Sequence, residues 1–167
     1  MSSPTRAGGD VADSPLLLGI MEQELTALFA FADRQAFQTG DLIVREGSPS
    51  DCLYILVSGV LEVVRMSSAR RESDPRTPVV LATLTETGSF FGEMSLVDIL
   101  PRSADIRAKT QAEVLAFPKK DLTSFFVQLP RVQMTMILNI ARNLSLRLRD
   151  ADAHIMQLSS DLARAGR

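Results

Sequence analysis

Apolar and polar positions along this chain fall into three regimes. Leu17, Met21, Leu25 and Leu28 recur at helical spacing and predict a short helix that ends near Phe31. From about Gln35 the period shortens to that of extended chain. β-type runs at close spacing predict strands over Gln35–Gln38, Asp41–Val44, Cys52–Ser58, Val60–Met66, Val79–Thr85, Ser103–Ala108 and Ala112–Phe117. Gly40, Gly47, Gly59 and Gly88 lie between them, where turns favour a residue without a Cβ. This is the pattern of an antiparallel sandwich or barrel, so the chain reads as mainly β with flanking helices.

After Phe117 the helical period returns. A helix is predicted from about Lys119 to Gln128, and Pro130 suits the first turn of a second, much longer one. In that helix Ile137, Ala141, Leu144, Leu148, Ala151, Ile155, Leu158 and Leu162 alternate spacings of four and three, a period of 3.5. Such a stripe is a coiled-coil seam. With Ala141, Leu148, Ile155 and Leu162 at a and Ile137, Leu144, Ala151 and Leu158 at d, it suits two parallel strands and predicts a homodimer. Arg147 then occupies g and Asp152 the following e, in reach of a cross-chain ion pair. The plainer alternative is that the stripe packs on the chain's own sandwich.

Two stretches lack the apolar content to pack. Residues 1 to 14, rich in Ser, Pro, Gly and Asp, read as a mobile tail, and Arg65–Pro78 as an exposed, mobile hairpin loop. The expected organisation is therefore a tail over 1–14, a β-roll with flanking helices over 15–129, and a long coiled-coil helix over 130–165.

Bulk properties narrow the function. The chain has 167 residues, 46% hydrophobic and 23% charged, which suits one soluble domain. A net charge of −2 and a pI near 5.4 argue against a DNA partner or an anionic membrane surface. The first ten residues lack the apolar core of a signal peptide, and Leu16 to Ile20 is too short to span a bilayer, so a cytoplasmic protein is expected. Cys52 has no partner for an internal disulfide and reads as a small buried side chain; His154 reads as surface. With one histidine and one cysteine there is no metal-ligand cluster and no nucleophile–base pair at a known spacing. Neither an enzyme nor a metal site is expected.

The strand pattern breaks at Gly88-Ser-Phe-Phe-Gly92-Glu93-Met94-Ser95-Leu96-Val-Asp-Ile-Leu-Pro101-Arg102-Ser103-Ala104. A small anion needs backbone N–H donors and a fixed positive charge, and the glycine-containing segment Phe91–Leu96, leading into a helical turn, aims N–H groups at one point. Arg102 supplies a charge whose fork donates two parallel hydrogen bonds to phosphate oxygens. Ser103 adds a hydroxyl. A carboxylate beside a phosphate is repulsive unless it serves another group, and accepting from a sugar hydroxyl is the natural use for Glu93. Taken singly, Glu93 reads as a solvated turn residue and Arg102 as a surface charge; taken together they describe a phosphate-plus-ribose clamp.

Phe91-Gly92-Glu93-Met94-Ser95-Leu96 followed after four residues by Pro101-Arg102-Ser103-Ala104 resembles the phosphate-binding cassette of the cyclic-nucleotide-binding domain family. That family includes bacterial catabolite activators, protein kinase A regulatory subunits and cyclic-nucleotide-gated channels. The likeness extends through Gly40-Asp41, Glu46-Gly47, Leu53-Tyr54-Ile55-Leu56, Ser58-Gly59, Arg107-Ala-Lys-Thr and Glu113-Val. It implies a jelly-roll sandwich and a non-enzymatic sensor of cAMP or cGMP that acts through its dimer helix or an effector protein. It also implies that Glu93 binds the ribose 2′-hydroxyl and Arg102 the cyclic phosphate, assisted by amides near Gly92 and Ser95 and by Ser103. The long helix resembles the activator's dimer helix, anchored at Pro130 and Ala141-Arg142-Asn143-Leu144, and places Arg147 where the family caps the purine. The activator has a small hydroxyl residue there, so two roles stay open for Arg147: stacking on or bonding to the base, or pairing with Asp152. The activator's helix-turn-helix is not expected, since residues up to Arg167 leave no room for one. The competing expectations are a dimeric scaffold whose site is unused, a regulatory subunit, and a site for another nucleotide such as a cyclic dinucleotide.

Overall fold

In a computed structural model, which describes residues 11–49, 51–67, 77–97 and 101–165, the elements run in this order. Helix α1 (Glu22–Phe29) leads into β1 (Asp33–Phe37), β2 (Leu42–Val44), β3 (Cys52–Ser58), β4 (Leu61–Met66), β5 (Pro78–Leu84) and β6 (Phe90–Phe91). The short helix α2 (Met94–Val97) is followed by β7 (Asp105–Ala108), β8 (Ala112–Pro118), α3 (Lys119–Gln128) and α4 (Pro130–Ala165). Two four-stranded antiparallel sheets, β1-β8-β3-β6 and β2-β7-β4-β5, form the sandwich.

The unbroken apolar runs of β3 and β8 have a simple cause: both faces of their sheet are covered. Side chains of a strand alternate between faces. Tyr54 and Leu56 of β3 and Val114 and Ala116 of β8 point into the sandwich, against Val44, Leu61 and Ile106 of the other sheet. Leu53, Ile55, Val57, Leu115 and Phe117 point the other way, into a second cluster with Leu122 and Phe126 of α3 and Val132, Met136 and Ile140 of α4. The two-residue strand β6, not expected from the sequence, divides the same way. Phe90 joins the helical cluster and Phe91 the sandwich, where it stacks on Tyr54 at 4.9 Å. A strand this short has no detectable period.

The N-terminal segment corrects two expectations. Val11 and Ser14, within the stretch read as a tail, are buried, and the Ser14 hydroxyl donates to the Gly88 carbonyl at 2.6 Å. Residues 1–10 of that stretch lie outside the described residues. Leu16, Leu17 and Ile20 pack into the helical cluster from turns that precede α1. The helix itself starts at Glu22, where Glu24 accepts the Met21 N–H at 2.9 Å and forms an ion pair with Arg131. Asn139 of α4 donates to the carbonyls of Leu16 and Leu18 at 3.0 and 2.9 Å, so polar contacts as well as apolar ones hold α4 against this segment.

The hairpin loop begins later than expected. Arg65 and Met66 pair with Val79 and Pro78, and Ser67 N–H donates to Thr77 O at 2.8 Å; the remainder, 68–76, is outside the described residues. Cys52 is half-buried rather than fully buried. Gly59 does more than turn the chain. At φ 91° a Cβ there would sit 2.6 Å from the Ala112 Cα, so β3 and β8 approach at this point as only glycine allows. Gly59→Ala is expected to destabilise the fold by about 1–3 kcal/mol, read as a lowered denaturation midpoint.

Helix α4 has 36 residues, which makes it about 54 Å long. Its N-terminal half lies on the sandwich, and from Leu148 to Arg164 every residue is exposed. Leu144 packs on the core, whereas Leu148, Ile155, Leu158 and Leu162 are 63, 60, 63 and 73% exposed. The stripe therefore does not pack on the chain's own sandwich beyond Leu144. Among the described residues no helix is long and apolar enough to cross a membrane.

Candidate functional site

The cassette lies between β6 and β7, and the backbone sets it out. Gly92, at φ 79°, turns the chain out of β6, and Glu93 follows as the residue before α2. On the far side, Arg102 is pinned by its own backbone: its N–H donates to Ser48 O at 3.0 Å, and its carbonyl accepts from Gly47 N–H at 2.8 Å. These two arms enclose a cavity of about 230 Å³ lined by Phe91, Gly92, Glu93, Met94, Pro101, Arg102, Ser103, Ala104 and Arg147. Val44, Val63 and Ile106 of the sandwich complete the wall.

Arg102 is 8% exposed, a charged group taken almost wholly from water. Nη2 donates to the Cys52 carbonyl at 2.5 Å, and the guanidinium lies 5.8 Å from the Tyr54 ring centroid. Among the described residues its nearest carboxylate is Asp51, 4.0 Å away and 81% exposed. Cys52 and Tyr54, its other ionisable neighbours, carry no compensating charge. Burial, with Asp51 adding to it, raises the Cys52 thiol above its ordinary range, and burial first of all pushes the Tyr54 phenol up to about 12, so both stay protonated at neutral pH. The result is a fixed, largely desolvated cation at the cavity wall, with the exposed Asp51 as its carboxylate partner among the described residues.

Gly92 is shaped to that guanidinium. A Cβ on Gly92 would collide with Nη1 of Arg102 and stand 2.8 Å from the Cys52 carbonyl. The glycine thus serves two needs, a left-handed backbone and a close approach to the arginine.

Glu93 is 4% exposed. Oε1 accepts from Arg147 Nη1 at 3.0 Å, and Arg147 Nη2 donates to the Phe90 carbonyl at 3.0 Å, with its guanidinium 5.7 Å from the Phe90 ring centroid. Within the chain Arg147 therefore pairs with Glu93, a partner not anticipated from the sequence. A buried carboxylate needs a charged partner far more than an exposed one does, and Asp152 is exposed. Among the described residues Arg147 is also the last residue of α4 with a hydrogen bond to the sandwich.

Of the residues singled out in the sequence, the structure brings Phe91, Gly92, Glu93, Met94, Arg102, Ser103 and Arg147 to one cavity. The backbone of Ser95 lies in α2, while its side chain is outside what the structure describes. The apolar wall that Val44, Val63 and Ile106 add to Pro101 and Ala104 of the motif was not anticipated. Strand alternation marks Val44 and Ile106 as inward-facing, but which inward residues border a cavity depends on where the two sheets diverge.

The comparisons agree with this geometry. The cyclic nucleotide-binding domain model matches residues 34–128. The cyclic AMP receptor protein of Thermus thermophilus is 32% identical over 90% of this chain and 65% of its own length. Glutaminase 1 of Bradyrhizobium diazoefficiens is 36% identical over 90% of this chain but only 23% of that protein. The crystal structure of the Thermus thermophilus catabolite activator protein superposes with a TM-score of 0.70 at 31% identity, covering 87% of this chain and 63% of that one. The chain spans less than two thirds of each of these relatives. Since the matched region contains both sheets, the cavity's two arms and α3, the chain belongs to the cyclic nucleotide-binding domain family.

Proposed function

We propose that the chain is a non-enzymatic, cytoplasmic sensor whose cavity takes cAMP or cGMP, with the cyclic phosphate on Arg102 and the ribose 2′-hydroxyl on Glu93. The observation that carries this reading is the buried Arg102 guanidinium, held without a close carboxylate in the same cavity as a buried Glu93. The fork matches two phosphate oxygens. Ser103 adds a hydroxyl at the rim, and the family resemblance implies further donors from amides near Gly92 and Ser95. Arg147 occupies Oε1 of Glu93 and, among the described residues, leaves Oε2 to accept from the sugar. The names of the cyclic AMP receptor and the cAMP-dependent kinase regulatory subunits among the relatives favour a cyclic nucleotide. The test is calorimetric titration of the nucleotide-stripped protein with cAMP and cGMP. Saturable micromolar or tighter binding supports the sensor; no heat with either, from a folded protein, leaves the scaffold or a different nucleotide.

Signalling in this reading runs through α4. One helix carries both Arg147, bonded to the cassette, and the exposed seam that begins at Leu148. Filling the site alters the cassette's hold on the helix, and the seam passes that change to a second copy of the chain or to an effector protein. Placing two charges in the seam, Ile155→Asp with Leu158→Asp, is expected to convert a dimer to a monomer in sedimentation equilibrium while the sandwich stays folded. An unaltered mass would remove the coiled-coil interface from the reading. A regulatory role within or beside a larger protein is a second reading, favoured by the small fraction of the glutaminase that the chain matches.

A further inference from the structure

A second cavity, of about 280 Å³, opens between α2, α3 and α4. Helix α2 contributes to both cavities: Met94 lines the first and Leu96 the second. Most of the second wall is apolar, formed by Leu96, Phe126, Val127, Pro130 and Ile137. Lys119 and Thr123 of α3 and Gln133 of α4 complete it, and no carboxylate of the described residues lines it. Lys119 is half-buried and forms no ion pair among the described residues. It is also the first residue of α3, where the helix macrodipole opposes a cation. Neither an ion pair nor its own helix therefore accounts for its charge. The Thr123 hydroxyl is committed, donating to the Lys119 carbonyl at 2.7 Å. The Gln133 side chain makes no hydrogen bond among the described residues and keeps its amide N–H donors.

We propose that this cavity is a second binding site, for a small carboxylate with an apolar body of the size of a medium-chain fatty acid, its charge on Lys119 and its chain against Phe126, Val127 and Ile137. The volume is at the small end of ligand pockets, which fits a small molecule. A lysine covers apolar surface with its stem and keeps its ammonium at the edge, so the site pairs an apolar floor with a charged rim. A carboxylate carries one charge on two oxygens, which one ammonium and one amide can serve. A phosphate brings more charge and more acceptor oxygens than that pair can satisfy. The occupant of this site is independent of what fills the first cavity.

The test is calorimetric titration of the full chain with octanoate, octan-1-ol and acetate. Octanoate is expected to bind saturably and about five- to tenfold tighter than octan-1-ol, which has the same apolar body without the charge. Acetate has the charge without the body and is expected to show no saturable binding. Lys119→Met keeps the length of the side chain and, with the fold checked by circular dichroism, is expected to erase the preference for octanoate. Val127→Glu, at a position 76% exposed, brings a carboxylate to the cavity and is expected to weaken octanoate binding by at least about fivefold. Absence of saturable octanoate binding overturns the proposal, as does equal affinity for octan-1-ol or an unchanged preference in a folded Lys119→Met chain. A lower mass for Val127→Glu than for the unaltered chain in sedimentation equilibrium assigns this face to a second copy and overturns it as well.

Discussion

Arg102→Ala is expected to leave a folded protein that has lost cyclic-nucleotide binding. Two charge-assisted hydrogen bonds to phosphate contribute about 1.5–3 kcal/mol each, so their loss weakens binding by about two to four orders of magnitude. Stability should respond much less. The guanidinium is desolvated without a close carboxylate, so its removal relieves a cost while depriving the Cys52 carbonyl of its donor. A net change of about 1 kcal/mol corresponds to a thermal midpoint shift of about 2–4 °C for a chain of this size. Arg102→Lys keeps the charge but not the planar fork and should fall between the two. Calorimetric titration alongside thermal melts reads both quantities; affinity unchanged in a folded Arg102→Ala protein would remove the phosphate from this end of the cavity.

Gly92→Ala is expected to damage stability and binding together. The backbone conformation at φ 79° costs an L-residue about 1–2 kcal/mol. The added methyl also enters the space of the Arg102 guanidinium and crowds the Cys52 carbonyl, which cannot move without disturbing β3. The arginine must give way and lose its fixed aim, so affinity for cAMP or cGMP should drop by about tenfold or more as preorganisation is lost. Gly40→Ala is the matching control. Gly40 has a similar φ of 91°, but a Cβ there meets nothing within 4 Å, so it should cost stability while leaving binding intact. If Gly92→Ala binds as tightly as the unaltered chain, the guanidinium does not depend on this contact.

Much of this architecture was legible in order of residues alone, for a physical reason in each case. The strand from Cys52 to Ser58 and the helix from Lys119 to Gln128 appear over the expected residues, because a continuous β-type run and a proline-flanked amphipathic run are signals carried locally by the chain. The segment that lines the cavity was legible because a glycine, a carboxylate and an arginine stand close together where the strand pattern breaks. The brief strand Phe90–Phe91 and the packing of Val11 and Ser14 were not, since neither has a period and both depend on partners far along the chain, Tyr54 and Ile55 for one and Gly88 for the other.

The part Arg147 plays shows where the division falls. Sequence by itself determined the sandwich class, the long helix with its 3.5-residue stripe, and the presence of Glu93 and Arg102 in one polar insertion, because periodicity and motif spacing are properties of neighbouring residues. Only the tertiary structure decided that Arg147, 54 positions after Glu93, reaches its carboxylate, that Arg102 is buried without a close carboxylate, and that the stripe leaves the sandwich after Leu144. The first and last depend on the angle and distance at which α4 crosses the sheets, set by the summed packing of Val132, Met136 and Ile140 and the hydrogen bonds of Asn139, and the burial of Arg102 depends on Cys52, Tyr54 and the Gly47–Ser48 backbone about 50 positions earlier; no local pattern encodes either.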